Sequence, residues 1–101
     1  MSIYQTCSNL VATCSDPKNA KCVVTSSSIK LYCNSQDYST PTSTTSHNSS
    51  SLPCNQACSS QNATFEGCQL KPYGNNQMEI SSVCQTDGYY YATGKSTIYI
   101  N

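Results

Sequence analysis

The run Met78-Glu79-Ile80-Ser81-Ser82-Val83-Cys84, continued as Gln85-Thr86-Asp87-Gly88-Tyr89-Tyr90-Tyr91-Ala92-Thr93-Gly94-Lys95-Ser96-Thr97-Ile98-Tyr99-Ile100, sets the class of fold. Met78 to Cys84 alternates apolar and polar residues, the pattern of a strand with one buried face. Asp87-Gly88 is a turn signal, Tyr89-Tyr90-Tyr91 is an aromatic run of high strand propensity, and Gly94-Lys95 reads as a second turn before Thr97-Ile98-Tyr99-Ile100. A three-stranded antiparallel meander is expected.

Towards the N-terminus, Lys21-Cys22-Val23-Val24-Thr25 and Ile29-Lys30-Leu31-Tyr32-Cys33 are β-branched or alternating runs separated by Ser26-Ser27-Ser28, which predicts a hairpin. No window carries a convincing helical period, although Asn55 to Ser60 has room for one turn. At the two ends, Ser2-Ile3-Tyr4-Gln5 and Thr97-Ile98-Tyr99-Ile100 both read as short strands with unpaired edges. Partners for such edges are further copies of the chain or other extracellular proteins, added through Ile3-Tyr4 and Ile98–Ile100, while closure of the sheet within one chain is the alternative.

The aliphatic core is thin: Leu10, Val11, Val23, Val24, Ile29, Leu31, Ile80, Val83, Ile98 and Ile100 make up most of it. In a chain of 101 residues such a set does not outweigh the entropy of ordering the backbone. The eight cysteines, Cys7, Cys14, Cys22, Cys33, Cys54, Cys58, Cys68 and Cys84, supply what is missing. Four disulfides at roughly 2–4 kcal/mol each would exceed the net stability of a typical domain of this size. Structural zinc needs close thiolate pairs of the C-x2-C kind, but the tightest spacing is Cys54-x3-Cys58 and the one histidine, His47, sits in a Ser/Thr run. No metal or cofactor is expected.

The cysteines also suggest a repeat. Residues 1–38 contain Cys7-x6-Cys14-Ser15-x6-Cys22-x10-Cys33, followed by Asp37-Tyr38-Ser39-Thr40; residues 54–101 contain Cys54-x3-Cys58-Ser59-x8-Cys68-x15-Cys84, followed by Asp87-Gly88-Tyr89. Between them, residues 39–53 form a Ser/Thr/Pro-rich segment that reads as a linker. The expected fold is therefore small, disulfide-rich and mainly β, with two related four-cysteine units of short antiparallel strands joined by that linker. Eight cysteines allow 105 pairings, or nine if each unit closes on itself.

Disulfides persist in oxidising compartments, so a secreted, extracellular or cell-surface location is expected. The opening Met1-Ser-Ile-Tyr-Gln-Thr-Cys7 does not resemble a leader, which suggests a replaced leader or a segment of a longer secreted chain. Asn48-Ser49-Ser50 and Asn62-Ala63-Thr64 fit the N-glycosylation pattern, making Asn48 and Asn62 candidate acceptors of a glycoprotein. No stretch approaches the roughly 20 apolar residues of a membrane helix, so direct membrane insertion is not expected.

Charge and chemistry narrow the functions. Lys18, Lys21, Lys30, Lys71 and Lys95 are spread along a chain of zero net charge with no arginine, which argues against nucleic acid and anionic membranes as partners. Asp16, Asp37, Glu66, Glu79 and Asp87 form no obvious acid–base pair, so the chain is read as non-enzymatic. Tyr89-Tyr90-Tyr91 must turn at least one ring outward, and a ring near Asp87, Asn75 or Asn76 is a platform for a sugar. Three readings stay open: a structural or adhesive module of a surface coat, filament or multidomain glycoprotein; a secreted effector, toxin, inhibitor or signalling ligand; and a carbohydrate-binding module using exposed tyrosines.

Overall fold

Ser2 begins the first element. In the computed structural model, which describes residues 2–34, 38–58, 60, 62–74 and 76–100, its hydroxyl accepts a hydrogen bond from the Gln5 amide at 3.1 Å. That N-cap starts helix α1, Ile3–Val11. The expected strand at residues 2–5 is thus corrected. Ile3, Tyr4, Cys7, Leu10 and Val11 recur at helical spacing, and Cys7 completes the stripe as a buried apolar residue. Nine residues make a marginal helix in isolation, so packing and the adjoining disulfides hold it.

A short 3-10 turn, Pro17–Asn19, leads into six strands: β1 Lys21–Val24, β2 Ser28–Tyr32, β3 Ser43–Ser46, β4 Thr64–Tyr73, β5 Gln77–Thr86 and β6 Tyr89–Tyr99. They form one antiparallel sheet in the order β3-β2-β1-β4-β5-β6. The fold is small, disulfide-rich and mainly antiparallel β, as expected. The β1–β2 hairpin lies where the sequence placed it, with Lys21 opposite Tyr32 and Val24 opposite Ile29. Strands of both four-cysteine halves share the sheet through β1–β4 pairing, with Cys22 opposite Leu70 and Val24 opposite Cys68.

Three further expectations are corrected. Gly94-Lys95 does not reverse the chain: Ile80 pairs with Ser96 and Ser82 with Thr93, so the pair forms a bulge with Gly94 at φ 71°, and β6 continues to Tyr99. The Ser/Thr segment is not a free spacer throughout, because Ser43–Ser46 pairs with β2 as an edge strand whose four side chains are exposed. Backbone pairing alone fixes β3. The turn expected at 55–60 is also absent from the described residues 55–58, where Asn55 Oδ1 instead accepts from the Ala57 amide at 3.1 Å. Ser59, like Ser35, Gln36, Asp37, Gln61 and Asn75, lies outside the described residues.

Disulfides join Cys7 to Cys22, Cys14 to Cys33, Cys54 to Cys68 and Cys58 to Cys84, with Cα separations of 6.0, 5.4, 5.6 and 5.9 Å. Each half pairs its first cysteine with its third and its second with its fourth. Cys22, Cys68 and Cys84 are fully buried on adjacent central strands, and Cys22 clusters with Val24, Ile29, Leu31, Leu70, Met78 and Ile80. Helix α1 and the segment following β3 are thereby tied across one face of the sheet, the core face. Closing loops of these lengths contributes about 3 kcal/mol per bridge in the chain-entropy model.

β4 lies close against β1 at Gly67, where φ is +147° and an added Cβ would lie 2.7 Å from Val23 Cγ1 and 2.9 Å from the Val24 carbonyl oxygen. Gly67→Ala is expected to cost about 2–4 kcal/mol through strain and overpacking. Gly74→Ala, with no atom within 4 Å of the new methyl, should shift stability by less than about 0.5 kcal/mol. Urea unfolding of the two variants checks the contrast.

Candidate functional site

Alternation along the strands decides what the second face of the sheet displays. Residues paired directly across strands share a face, so Lys21, Tyr32 and Lys30 of the hairpin lie with Gln69, Lys71 and Tyr73 of β4, Glu79 and Ser81 of β5, and Tyr90 and Ala92 of β6. This outer face is aromatic and polar apart from Val23 and Val83, whereas the core face carries the sulfur and most of the aliphatics.

Tyr38 stands on it. Its backbone carbonyl accepts from the Tyr32 hydroxyl at 2.7 Å, and its own hydroxyl donates to Gln69 Oε1. Its ring meets Tyr32 edge-on at 6.1 Å and Tyr90 at 5.9 Å, and lies 3.5 Å from Lys21 Nζ. That cation–π contact accompanies the burial of Lys21, which is only 4% exposed. A small cluster of Val23, Tyr32 and Val83, with Tyr38 and Tyr90 packed against it, fixes the ring from below.

Two depressions flank Tyr38. The larger, of about 440 Å³, is lined by Lys21, Tyr38, Gln69, Lys71, Tyr73 and Glu79, with Ser81, Ala92 and Lys95 completing it. The smaller includes Lys30, Tyr32, Ser39, Glu66 and Tyr90. In the larger, Glu79 is 7% exposed; its Oε2 accepts from the Tyr73 hydroxyl at 2.8 Å and pairs with Lys95 Nζ at 3.6 Å. Lys95 itself is 69% exposed, so that pair is weak. The hydrogen bond to Glu79 and its negative charge push the Tyr73 phenol upward, and burial does the same to Tyr38.

The tyrosines singled out in the sequence are divided between the faces. Tyr90 packs on Tyr38, while Tyr89 and Tyr91 sit together at 6.2 Å and line a separate hollow with Ser60, Thr86 and Asp87. Tyr89 is 58% exposed and Asp87 occupies the β5–β6 turn at φ 48°. Asn76 lies at the other end of β5 and does not join them; Asn75 is outside the described residues. Asn48 and Asn62 are both exposed, in irregular segments after β3 and before β4.

Lys21, Tyr38, Gln69, Lys71, Tyr73, Ser81 and Lys95 were not marked as site residues by the sequence. β4 gave no strand expectation, although Cys68 and Leu70 alternate with Gln69 and Lys71. Lysines at positions 21, 30, 71 and 95, dispersed along the chain, converge on one face only through strand register. The expectation of dispersed cations is corrected for the folded chain. Among the described residues no group of three His, Cys, Asp or Glu could hold a metal, and no helix is long and apolar enough to cross a membrane. Compared with protein-family models, curated proteins and solved structures, the chain matches none of them.

Because the folded state holds the phenolic protons of Tyr38 and Tyr73 more tightly than the unfolded chain does, their contribution is complete below the ordinary value of about 10 and is lost as pH rises through the raised values. Residue-resolved NMR titration should show both rings ionising above the ordinary tyrosine range, with stability falling over the same alkaline interval.

Proposed function

We propose that the chain is a non-enzymatic extracellular adhesive module that binds carbohydrate on the outer face of its sheet. The observation that carries this reading is Tyr38, held at both its carbonyl and its hydroxyl between two open polar depressions. A sugar presents an apolar C–H face and a rim of hydroxyls. A fixed aromatic ring suits the first, and oriented groups such as Gln69, Ser81 and Glu79 suit the second. Four disulfides in so small a domain fit an extracellular setting. Among the described residues Glu79 is the one carboxylate lining the larger depression, and it is already engaged by Tyr73 and Lys95, which favours binding over acid–base hydrolysis.

Assembly into a coat or filament is a second reading, favoured by β6, an eleven-residue strand at the edge of the sheet. The expected terminal pairing changes in detail. Ile3 and Tyr4 belong to α1 and pack on the core, and Ile98 and Ile100 also turn towards it, leaving the β6 backbone as the longer of the sheet's two edges, with β3 the other. The Gly94-Lys95 bulge interrupts that edge near its middle.

Glycan-array and polysaccharide-retention measurements separate the readings. Tyr73→Ala should weaken glycan binding roughly two- to ten-fold, the value of one aromatic contact of about 0.5–1.5 kcal/mol, while Tyr89→Ala on the other face should leave it unchanged. Concentration-dependent association in the ultracentrifuge with no retention on any glycan would replace this function with assembly through β6.

A further inference from the structure

The Gly94-Lys95 bulge brings the two halves of β6 into phase about the strand's own middle. Tyr89, Tyr91 and Thr93 share the core face, since Tyr91 pairs with Cys84 and Thr93 with Ser82; Ser96 and Ile98 share it too, since they pair with Ile80 and Met78. Tyr90, Ala92, Thr97 and Tyr99 share the outer face. In a strand without the bulge, Thr93 and Ser96 would point to opposite faces. One extra residue restores the match, so β6 presents the same alternation read from either end.

The backbone follows that alternation. The Ile100 amide donates to the Asn76 carbonyl at 2.7 Å, so core-face residues of β6 turn their amides inward, towards β5. β5 carries the pattern past the bulge, and Tyr90, Ala92, Thr97 and Tyr99 therefore turn their N–H and C=O groups to the edge of the sheet. Among the described residues no strand lies beyond β6. No residue of β6 is buried, and Tyr89 and Tyr99 are 58% and 75% exposed.

From this self-complementarity we infer that two copies of the chain pair antiparallel through β6, about a two-fold axis between Gly94 and Lys95. The inference rests on the assembly reading above and specifies its partner: a closed pair in place of a filament. The axis sets Tyr90 opposite Tyr99, and Ala92 opposite Thr97, of the second copy, each pair placed to exchange both backbone hydrogen bonds. On the core-face side Tyr91 comes opposite Ile98, an aromatic–β-branched pair. Lys95, the one charged residue of β6, meets Gly94 of the second copy and not a like charge, with the carboxylate of its own Glu79 at 3.6 Å. The other edge, β3, offers only Ser43–Ser46, so a head-to-tail β6–β3 junction would join fewer residues and form no aromatic pair. With the axis perpendicular to the sheet, both outer faces look to the same side.

The test is sedimentation velocity of the oxidised 101-residue chain from micromolar to millimolar concentration, with residue-resolved amide hydrogen exchange at both ends of that range. The expected result is passage from monomer to dimer and no further. Exchange at the Tyr90, Ala92, Thr97 and Tyr99 amides should slow at least about ten-fold at high concentration, while the inward amides of Tyr91 and Ile98 change far less. Thr97→Pro removes an outward N–H and no bond to β5, so it should retain the thermal transition and weaken association at least about ten-fold. The exchange pattern of the parent chain needs no variant. A monomer throughout overturns both the pair and assembly through β6. Growth beyond a dimer, a dimer whose Thr97 amide exchanges as it does in the monomer, or undiminished association of T97P overturns the pair alone. Retention on glycans is a separate measurement, so the carbohydrate reading stands or falls independently.

Discussion

The constraint on which the structure depends is the set of disulfides rooted in the core face of the sheet. Cys22 on β1, Cys68 on β4 and Cys84 on β5 are fully buried on adjacent strands, and each holds a segment that crosses that face. The aliphatic side chains between them could not support a six-stranded sheet alone. With sulfur anchoring one side, a single short helix and an irregular segment are enough to cover it, and the opposite side need not be sealed by hydrocarbon. The outer face carries Lys21, Gln69, Glu79 and Ser81, which are themselves nearly buried, and Lys21, Gln69 and Glu79 are engaged by the tyrosines above them.

That division explains where the features of the proposed binding face arise. Tyr38 is not on a strand; it ends the first four-cysteine half and is positioned by Tyr32 and Gln69, which come from β2 and β4. Pairing of β1 with β4 is therefore what assembles the face, because it sets residues from both halves of the chain side by side. Gly67 permits the close approach on which that pairing relies. A scaffold tied at its back and polar at its front loses little side-chain freedom when a ligand arrives, which favours recognition by rigid rings and oriented amides.

Much of the β architecture was legible in the sequence. Branched residues around Ser26-Ser27-Ser28 marked the first hairpin, and Asp87-Gly88 marked the turn between β5 and β6, because both signals are local. Helix α1 was not read, although Ser2 with Gln5 at the third helical position is a capping pattern; its apolar stripe needs Cys7 counted as a hydrophobic residue. β3 has no buried side chain to give it a period, and β4 is interrupted by Gly67 and Pro72, so neither announced itself. The candidate face was illegible for a further reason. Its residues share a side only once register across five strands is known, and register between β1 and β4 is a long-range property.

Full reduction under otherwise native conditions, followed by two-dimensional amide NMR, tests the central claim most directly. If buried sulfur fixes this backbone, breaking the bridges should collapse the dispersed strand resonances of β1, β4 and β5 together and abolish the outer face with them. Retention of the dispersed spectrum by the fully reduced chain would contradict the account.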